Sequence, residues 1–282
     1  MPVKILKPTT PGRRQMSTID YSGLSKKRPE KGLVNTLKKN SGRNNQGKIT
    51  VRRKGGGHKQ KYRIVDFKSI DKKNIEGTVR AIEYDPNRNC FITLVVYKDG
   101  EKRYHLAPSG LKVGDTVITG EKTKIKTGNR LQLKNIPQGV EIYNVEINPG
   151  RGGQIARGAG TSAKLIALEG ERAHVQLPSG EIRLISKECY ASIGHIGNED
   201  YSNIKIGKAG RNRWKGKKPK VRGKAMNPVD HPHGGGEGGH PIGLIHPKTP
   251  WGAPALGKIT RKRKKYSNKL IIKKRKKKNA KK

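Results

Sequence analysis

Short runs of apolar residues are concentrated in the middle of the chain. They are rich in Ile, Val, Tyr and Phe and have the length of β-strands. Almost none follows the 3.6-residue period of an amphipathic helix. The predicted strands cover residues 61–67, 75–84, 90–97, 140–147, 163–168, 173–177 and 181–185.

Turn residues separate these runs at the short spacing of an antiparallel β-protein. Asp99-Gly100 predicts a hairpin between the strands on either side of it. Residues 169–171 (Glu-Gly-Glu) and 178–180 (Pro-Ser-Gly) predict two further turns. A polar stretch at 123–129 divides the strands into two groups. The pattern therefore predicts a mainly β chain with two small barrels.

The two ends of the chain have a different pattern. The first 60 residues contain scattered apolar positions among Gly, Ser and Asn, and residues 207–257 are crowded with Gly and Pro. Gly and Pro at this density exclude long helices and central strands. We predict an N-terminal extension at 1–60, barrels at 61–125 and 126–200, and a C-terminal extension at 201–282.

Charge separates the same regions. The chain has 64 Lys+Arg and 21 Asp+Glu, a formal net charge of +43. Residues 1–63 carry +16 and residues 201–282 carry +24, whereas residues 64–200 carry only +3. A chain this basic repels itself unless a polyanion neutralises it. The middle has the charge balance of an ordinary globular domain, so the partner is expected at the extensions.

Nucleic acid is the predicted polyanion, because phosphates are dense and each contact with Lys or Arg releases a counterion. The sequence has no apolar run of membrane-spanning length and no apolar signal-peptide core at its start. No membrane partner is expected. Hydrophobic residues make up 31% of the chain, so part of it must depend on a partner for order.

Two further compositional features concern the disorder of the C-terminal tail and the cellular compartment of the protein. Residues 258–282 contain 15 Lys/Arg and no acid, which predicts a disordered, solvated tail in the free chain. Cys90 and Cys189 lie far apart without a second Cys nearby. This pattern is typical of a reducing cytosolic compartment and argues against a disulfide framework or a Cys-based zinc site.

A glycine run lies between basic residues at 54–63. Without Cβ atoms the backbone can approach phosphates closely, and its N–H groups can join the cations as donors. A flexible basic linker is the alternative. The basic flanks and Tyr62 favour contact with RNA.

The predicted loop at 148–164 follows the same logic, with five glycines and the cations Arg151, Arg157 and Lys164. Its G-x-G-like spacing is not followed by a helix or a βαβ unit, and it lacks the GK[ST] ending of a P-loop. A long barrel loop is the alternative to a loop that rests on RNA backbone. We favour the second interpretation.

Residues 225–240 combine three histidines with glycines and prolines. Asp230 and Glu237 are the only acids after Asp200. Asp230–His231 could act as an oriented base, and His231, His233 and His240 could bind a metal. However, no rigid scaffold and no Cys accompany them. The favoured prediction is an extended loop that threads through RNA and takes its geometry from it, with Trp214 and Trp251 available for stacking.

Taken together, these motifs resemble the large-subunit ribosomal protein L-two family, in its bacterial or organellar form. The matching segments occur in the family's order over about 54–257, and the third is highly specific. They are KGGGHKQKYRIVDF, INPGRGGQIARGAGTSAK, GKAGRNRWKGKKPKVRGKAMNPVDHPHGGGEGG and TPWG.

The resemblance implies an oligonucleotide-binding-like barrel at 61–125, an SH3-like barrel at 126–200, and basic extensions that enter large-subunit RNA. It also implies roles in assembly and subunit association and a C-terminal arm directed towards the peptidyl transferase region. The family's much-discussed histidine corresponds to His231. Residues 240–245 depart from the family pattern, and only the charge of the Lys-rich end carries over.

The predicted function is a structural constituent of the large ribosomal subunit in the cytoplasm, not an enzyme. An enzyme centred on His231 and a free nucleic-acid chaperone or compaction protein are the alternatives. The predicted partners are large-subunit ribosomal RNA, neighbouring ribosomal proteins and the small subunit, without a homo-oligomer, cofactor or metal. The predicted RNA-binding residues are Arg52, Arg53, Lys54, Gly55, Gly56, Gly57, His58, Lys59, Lys61, Tyr62, Arg63, Arg151, Gly152, Gly153, Arg157, Lys164, Lys208, Arg211, Arg213, Trp214, Lys215, Arg222, Asn227, His231, His233 and Trp251.

Overall fold

Short antiparallel strands make up most of the regular structure in this computed structural model, which describes residues 2–275. The strands are β1 Val3–Ile5, β2 Ser17–Ile19, β3 Val34–Thr36, β4 Lys61–Arg63, β5 Glu76–Glu83, β6 Ile92–Tyr97, β7 Lys102–Leu106, β8 Thr116–Ile118, β9 Arg130–Gln132, β10 Glu141–Tyr143, β11 Val145–Glu146, β12 Gly153–Ile155, β13 Ala163–Glu169, β14 Arg172–Gln176, β15 Ile182–Ser186, β16 Tyr190–Ile193 and β17 Ile271–Lys273. The helices are α1 Ala209–Trp214 and short 3-10 turns at Lys31–Leu33, Ile70–Lys72, Leu133–Asn135, Glu199–Asn203, Gly223–Ala225 and Tyr266–Leu270. The mainly β prediction is confirmed.

The first large sheet has four strands in the order β7-β6-β5-β8. The hairpin predicted at Asp99-Gly100 is confirmed, because β6 pairs with β7 across this turn. β4 ends at Arg63, four residues before the predicted limit. The Asp66 carboxylate accepts hydrogen bonds from the backbone N–H groups of Lys68 and Ser69, at 2.8 and 3.0 Å, and so turns the chain.

The second large sheet has seven strands in the order β17-β15-β14-β13-β10-β16-β9. The two turns predicted after β13 and β14 are confirmed. The single strand predicted at 140–147 is wrong. Asn144 has a φ of 49°, which divides the run into β10 and β11. β11 pairs with β12, so the predicted loop at 148–164 contains half of a small hairpin.

The C-terminal tail is partly ordered, which corrects the prediction of a disordered segment at 258–282. A 3-10 turn at Tyr266–Leu270 leads into β17, which pairs with β15 at Ile182 and Arg183. Ile271 is half-buried at this edge of the sheet. The lysine-rich residues 276–282 lie outside the described residues.

The chain forms two units. Residues 2–38, 59–209 and 269–275 form one, the body, and residues 39–58 and 210–268 form the other, the extension unit. The main core of the body combines side chains of both large sheets, including Tyr104, Leu131 and Leu165. Ile19 and Leu24 near the N-terminus form a second buried cluster with Phe91. The predicted segment limits at 60, 125 and 200 stay predictions.

The extension unit contains none of the buried hydrophobic residues found among residues 2–275. Its buried side chains are polar, namely His231, His233 and Ser267. A chain segment that buries so little apolar surface gains little free energy from folding alone. Over the described residues, the longest helices fall short of the length and apolar character needed to cross a membrane.

Candidate nucleic-acid interface

A groove of about 680 Å³ on the body is lined by Phe67, Lys68, Arg103, Arg151 and Arg157. We call it the Phe67 groove. The Arg157 guanidinium lies 4.5 Å from the centroid of the Phe67 ring, which is a cation–π distance. Arg103 is held by carboxylates, with Asp66 at 2.8 Å. In contrast, Arg151 and Arg157 have no carboxylate partner among the described residues, so their charges are available to a polyanion.

A buried ion pair holds the loop that carries Arg151. Glu146 is fully buried, and one of its oxygens accepts hydrogen bonds from Arg130 Nη2 at 3.0 Å and from Gly152 N at 3.1 Å. The other oxygen accepts from the backbone N–H groups of Gly150 and Tyr190. Burial lowers the pKa of Arg130. Because four donors converge on one carboxylate, the loop is anchored from inside the body.

Several predicted residues of the body occupy different environments. The side chain of Arg63 is 12% exposed and lies 3.8 Å from Asp85, so it is committed to a carboxylate. Tyr62 is half-buried, 5.9 Å below the Arg88 guanidinium. Lys59, Lys61, Lys164 and Lys208 are exposed. The structure therefore keeps the lysines at the surface and uses Arg63 internally.

The glycine run comes together with residues 211–218, which comprise the end of α1 and the residues after it, in the extension unit. Gly55 N donates to Gly216 O at 3.1 Å, His58 N donates to Trp214 O at 2.8 Å, and Lys218 N donates to Arg53 O at 2.9 Å. We call residues 52–58 and 211–218 the glycine clamp. The expectation that the N–H groups of this run face phosphates is wrong for Gly55 and His58, because backbone carbonyls already accept from them.

Gly57 explains why the run contains glycines. Its φ is +80°, and a Cβ atom there would lie 2.6 Å from Gly216 N and 2.7 Å from Trp214 O. The Lys39 ammonium donates to the carbonyls of Gly56, Gly57 and His58. The glycines thus allow two basic segments to approach each other closely.

The glycine clamp concentrates positive charge. The extension unit has 21 Lys/Arg and only two acids in sequence positions 39–58 and 210–268. Burial, with the nearby charges of Arg211 and Lys217, lowers the pKa of Lys215. Trp214 is 59% exposed and Trp251 is 82% exposed. The clamp cations are Arg52, Arg53, Lys54, Arg211, Arg213, Lys215, Lys217 and Lys218.

The histidine segment folds on itself, which corrects the prediction that its geometry must come from RNA. His231 and His233 are both buried, with ring centroids 4.6 Å apart. His233 N donates to His231 Nδ1 at 3.0 Å, and Lys248 N donates to His233 Nε2 at 2.8 Å. A Cβ atom on Gly223 would lie 2.5 Å from His231 Nδ1.

These contacts define the chemistry of the two imidazoles. Burial, with the neighbouring His231 and Lys248, lowers the pKa of His233, which favours its neutral form. The accepting nitrogens, His231 Nδ1 and His233 Nε2, are already occupied by backbone donors. Asn227 O accepts from the N–H groups of Asp230 and His231 and closes the turn. Over residues 2–275, the structure forms no cluster of three or more His, Cys, Asp or Glu side chains able to hold a metal ion.

Sequence reasoning missed three contributors to the interface. Phe67 is one of only two Phe in the chain and lies four residues after the basic glycine run. Arg88 lies 5.8 Å from the Phe67 ring and donates to Asp85 at 2.6 Å. Glu146 is an acid immediately before a basic loop. The isolated Phe and the isolated acid were the available signals, but only tertiary contacts connect them with Arg157 and Arg151.

An exposed cation-rich groove on a β-barrel body, with a basic extension unit that lacks an apolar core, is the arrangement of a nucleic-acid-binding protein. Two family models match the chain: Ribosomal Proteins L2, RNA binding N-terminal domain, over residues 30–119, and Ribosomal Proteins L2, C-terminal domain, over residues 126–252. The chain belongs to the ribosomal protein L2 family. The predicted family and the oligonucleotide-binding-like and SH3-like fold are confirmed.

Membership has direct consequences for function. The family is a structural family of the ribosome, not an enzyme family, and its N-terminal domain binds RNA. The chain therefore has a structural role in the large ribosomal subunit, with ribosomal RNA as its partner.

Proposed function

We propose that this chain binds large-subunit ribosomal RNA directly, with the Phe67 groove and the glycine clamp as its two main contact surfaces. The observation that carries the proposal is the composition of the extension unit. It has 21 Lys/Arg against two acids and buries no hydrophobic side chain in its described part. Such a unit is stabilised when phosphates neutralise it and release their counterions.

The two surfaces have complementary roles in this proposal. Arg151 and Arg157 of the Phe67 groove lie on a body with its own hydrophobic core, so they present charge in a fixed geometry. The glycine clamp presents charge on paired backbones, and Trp214 and Trp251 offer faces for base or ribose stacking. The body thus positions the RNA, and the extension unit becomes fully ordered on it.

The wider roles follow from an extension unit that folds into RNA. We propose that the chain supports assembly of the large subunit, its association with the small subunit, and the RNA of the peptidyl transferase region, beside neighbouring ribosomal proteins in the cytoplasm. His231 and His233 act structurally, because their accepting nitrogens hold backbone N–H groups. No homo-oligomer and no catalytic turnover are expected.

The first test concerns Arg157. Arg157→Gln removes a charge and the cation–π contact with Phe67, and should weaken binding to a large-subunit ribosomal RNA domain roughly 10- to 100-fold, the scale of a single specific arginine contact. Arg172→Gln is the matched control, because Arg172 is also exposed but lies on β14, away from the groove residues. The measurement is equilibrium filter binding at fixed salt, with small-subunit RNA of the same length as competitor.

Wild-type protein should prefer the large-subunit RNA, and Arg172→Gln should keep that preference. Equal affinity for both RNAs would overturn the proposed function. Equal effects of the two substitutions would remove the Phe67 groove from it.

The second test concerns the geometry of the glycine clamp. Gly57→Ala places a Cβ atom against the backbone of Gly216 without changing net charge, so it should separate the two segments of the clamp and weaken RNA binding at least roughly tenfold. Gly47→Ala is the control, because Gly47 also has a positive φ, +77°, but nothing lies within 4 Å of the new atom. If both variants bind alike, the close approach in the clamp is irrelevant to RNA binding.

A further inference from the structure

A second groove, of about 700 Å³, lies on the face of β5 and β6. Its floor is formed by Ala81, Leu94 and Val96, and the N-terminal segment 25–30 forms one wall. We call it the sheet groove. It shares only Lys102 with the Phe67 groove. Its volume lies within the range of ~300–1,000 Å³ that is typical of ligand sites.

The wall is attached to the sheet by hydrogen bonds. Ser25 N donates to Ile82 O at 2.8 Å, and Glu30 N donates to the Tyr104 hydroxyl at 3.0 Å. The Tyr104 hydroxyl in turn donates to the buried Glu83 carboxylate at 2.9 Å. On the opposite side, a register shift between Val79 and Ala81 interrupts the β5–β6 ladder at Arg80. The shape of the groove is therefore maintained by hydrogen bonds within the body.

The cations around the sheet groove fall into two groups. Lys98 lies 2.7 Å from Glu76, and Lys102 lies 3.2 Å from Glu30, so both are neutralised within the protein. Lys27, Arg28 and Arg80 are exposed and form no ion pair within residues 2–275. Lys27 and Arg28 stand on the wall, whereas Arg80 stands on the sheet. Three unneutralised charges thus flank one channel from two sides.

Charge complementarity indicates an extended polyanion as the occupant. The exposed cations Lys27, Arg28 and Arg80 attract phosphates, whereas Ala81, Leu94 and Val96 offer no aromatic face on which a base could stack. A peptide that added a strand would need a free sheet edge, but β5 is paired on both sides, with β6 and β8, and β6 is paired with β5 and β7. The sheet groove lies on the face of the sheet, where an occupant can contact side chains but not unpaired backbone N–H and C=O groups.

We propose that the sheet groove binds a strand of ribosomal RNA through its phosphodiester backbone, with Lys27, Arg28 and Arg80 contacting phosphates. This proposal rests on the proposed RNA-binding function and adds a third contact surface to it. Lys27 and Arg28 precede the matched family region, which begins at residue 30. Two of the three proposed phosphate contacts therefore lie outside the matched region.

The first experiment removes the three charges together. The full-length triple variant Lys27→Ala, Arg28→Ala, Arg80→Ala should reduce the slope of log affinity against log salt by roughly 2–3, one for each lost phosphate contact. The control triple variant Lys112→Ala, Lys122→Ala, Lys134→Ala removes the same charge from exposed positions of the body outside the groove. Its slope should change by less than about one. Equal slopes for both triple variants would overturn the proposal.

The second experiment locates the RNA. Thr78 is exposed and lines the sheet groove, so Thr78→Cys can carry a tethered iron chelate for local hydroxyl-radical cleavage. The native thiols of Cys90 and Cys189 are buried, and burial raises the pKa of both, which directs the label to the new cysteine. Ser179→Cys, in the exposed turn between β14 and β15, is the comparison.

In complexes with large-subunit ribosomal RNA, Thr78→Cys should cleave a short set of nucleotides that Ser179→Cys does not cleave, and the charge-removal triple variant should lose this cleavage. Absence of cleavage from Thr78→Cys in complexes that form normally would overturn the proposal and leave the proposed function intact. Cross-linking of position 78 to an acidic protein segment in assembled subunits would also overturn it. Failure of the wild-type chain to bind the RNA at all would instead count against the proposed function.

Discussion

The affinity of the isolated chain for large-subunit ribosomal RNA is expected to fall by ~10³–10⁵ between about 50 and 200 mM salt, which corresponds to ~6–10 phosphate contacts. The physical reason is counterion release by the cations of the extension unit and the two grooves. The measurement is a series of equilibrium binding curves at increasing monovalent salt, analysed as log affinity against log salt concentration. A slope shallower than about −3 would contradict the proposed contact surfaces.

The C-terminal lysines give this prediction an internal control. Deleting residues 276–282 removes five lysines but keeps β17, which pairs with β15. The slope should become shallower by up to roughly 4, while the preference for large-subunit over small-subunit RNA stays. Loss of that preference would place specific recognition in the last seven residues. A deletion that began at residue 258 would be less informative, because it would also remove a strand of the body.

Glu146→Ala is expected to destabilise the body by ~3–5 kcal/mol, since it leaves the Arg130 guanidinium buried without its carboxylate. It also removes the acceptor for the backbone N–H groups of Gly150, Gly152 and Tyr190. The measurement is denaturant unfolding followed by near-ultraviolet circular dichroism, which reports on buried tyrosines of the body such as Tyr104 and Tyr143.

Glu169→Ala is the matched control for stability. The Glu169 side chain is 71% exposed and lies 3.5 Å from His174, so its loss should cost less than about 1 kcal/mol. A loss of stability below about 1 kcal/mol for Glu146→Ala as well would contradict the anchoring role of the buried pair.

Whether Glu146→Ala weakens or strengthens RNA binding distinguishes the loss of the loop anchor from the loss of a negative charge. Removing Glu146 raises the net charge by one, which by itself strengthens the attraction to RNA. Loss of the loop anchor displaces Arg151 and weakens binding. We expect weaker binding under conditions in which the variant is folded, and tighter binding would show that the loop needs no anchor.

Much of the architecture could be predicted from local pattern. The β-rich middle and the hairpin at Asp99-Gly100 follow from alternation and turn chemistry, which act over a few residues. Elements that depend on partners far away in the chain could not be predicted in this way. β9 and β16 pair across almost 60 residues of chain, and β17 adds to the edge of β15 although its own segment is dominated by lysine. Strand pairing at that separation leaves no local signal.

The candidate interface also has features that the sequence determined and features that only the fold determined. Sequence alone determined that the chain binds a polyanion, because net charge and its separation into basic ends and a balanced middle are properties of composition. It also determined the family, through motifs in order along the chain.

Only the tertiary structure decided which cations are free. Arg63 and Arg103 meet carboxylates, whereas Arg80, Arg151 and Arg157 meet none within residues 2–275. Likewise, only folding packed the His231 ring against Gly223 and brought the backbone N–H of Lys248 to His233 Nε2. Charge is carried by each residue on its own, but its neutralisation depends on which residues the fold brings within a few ångströms.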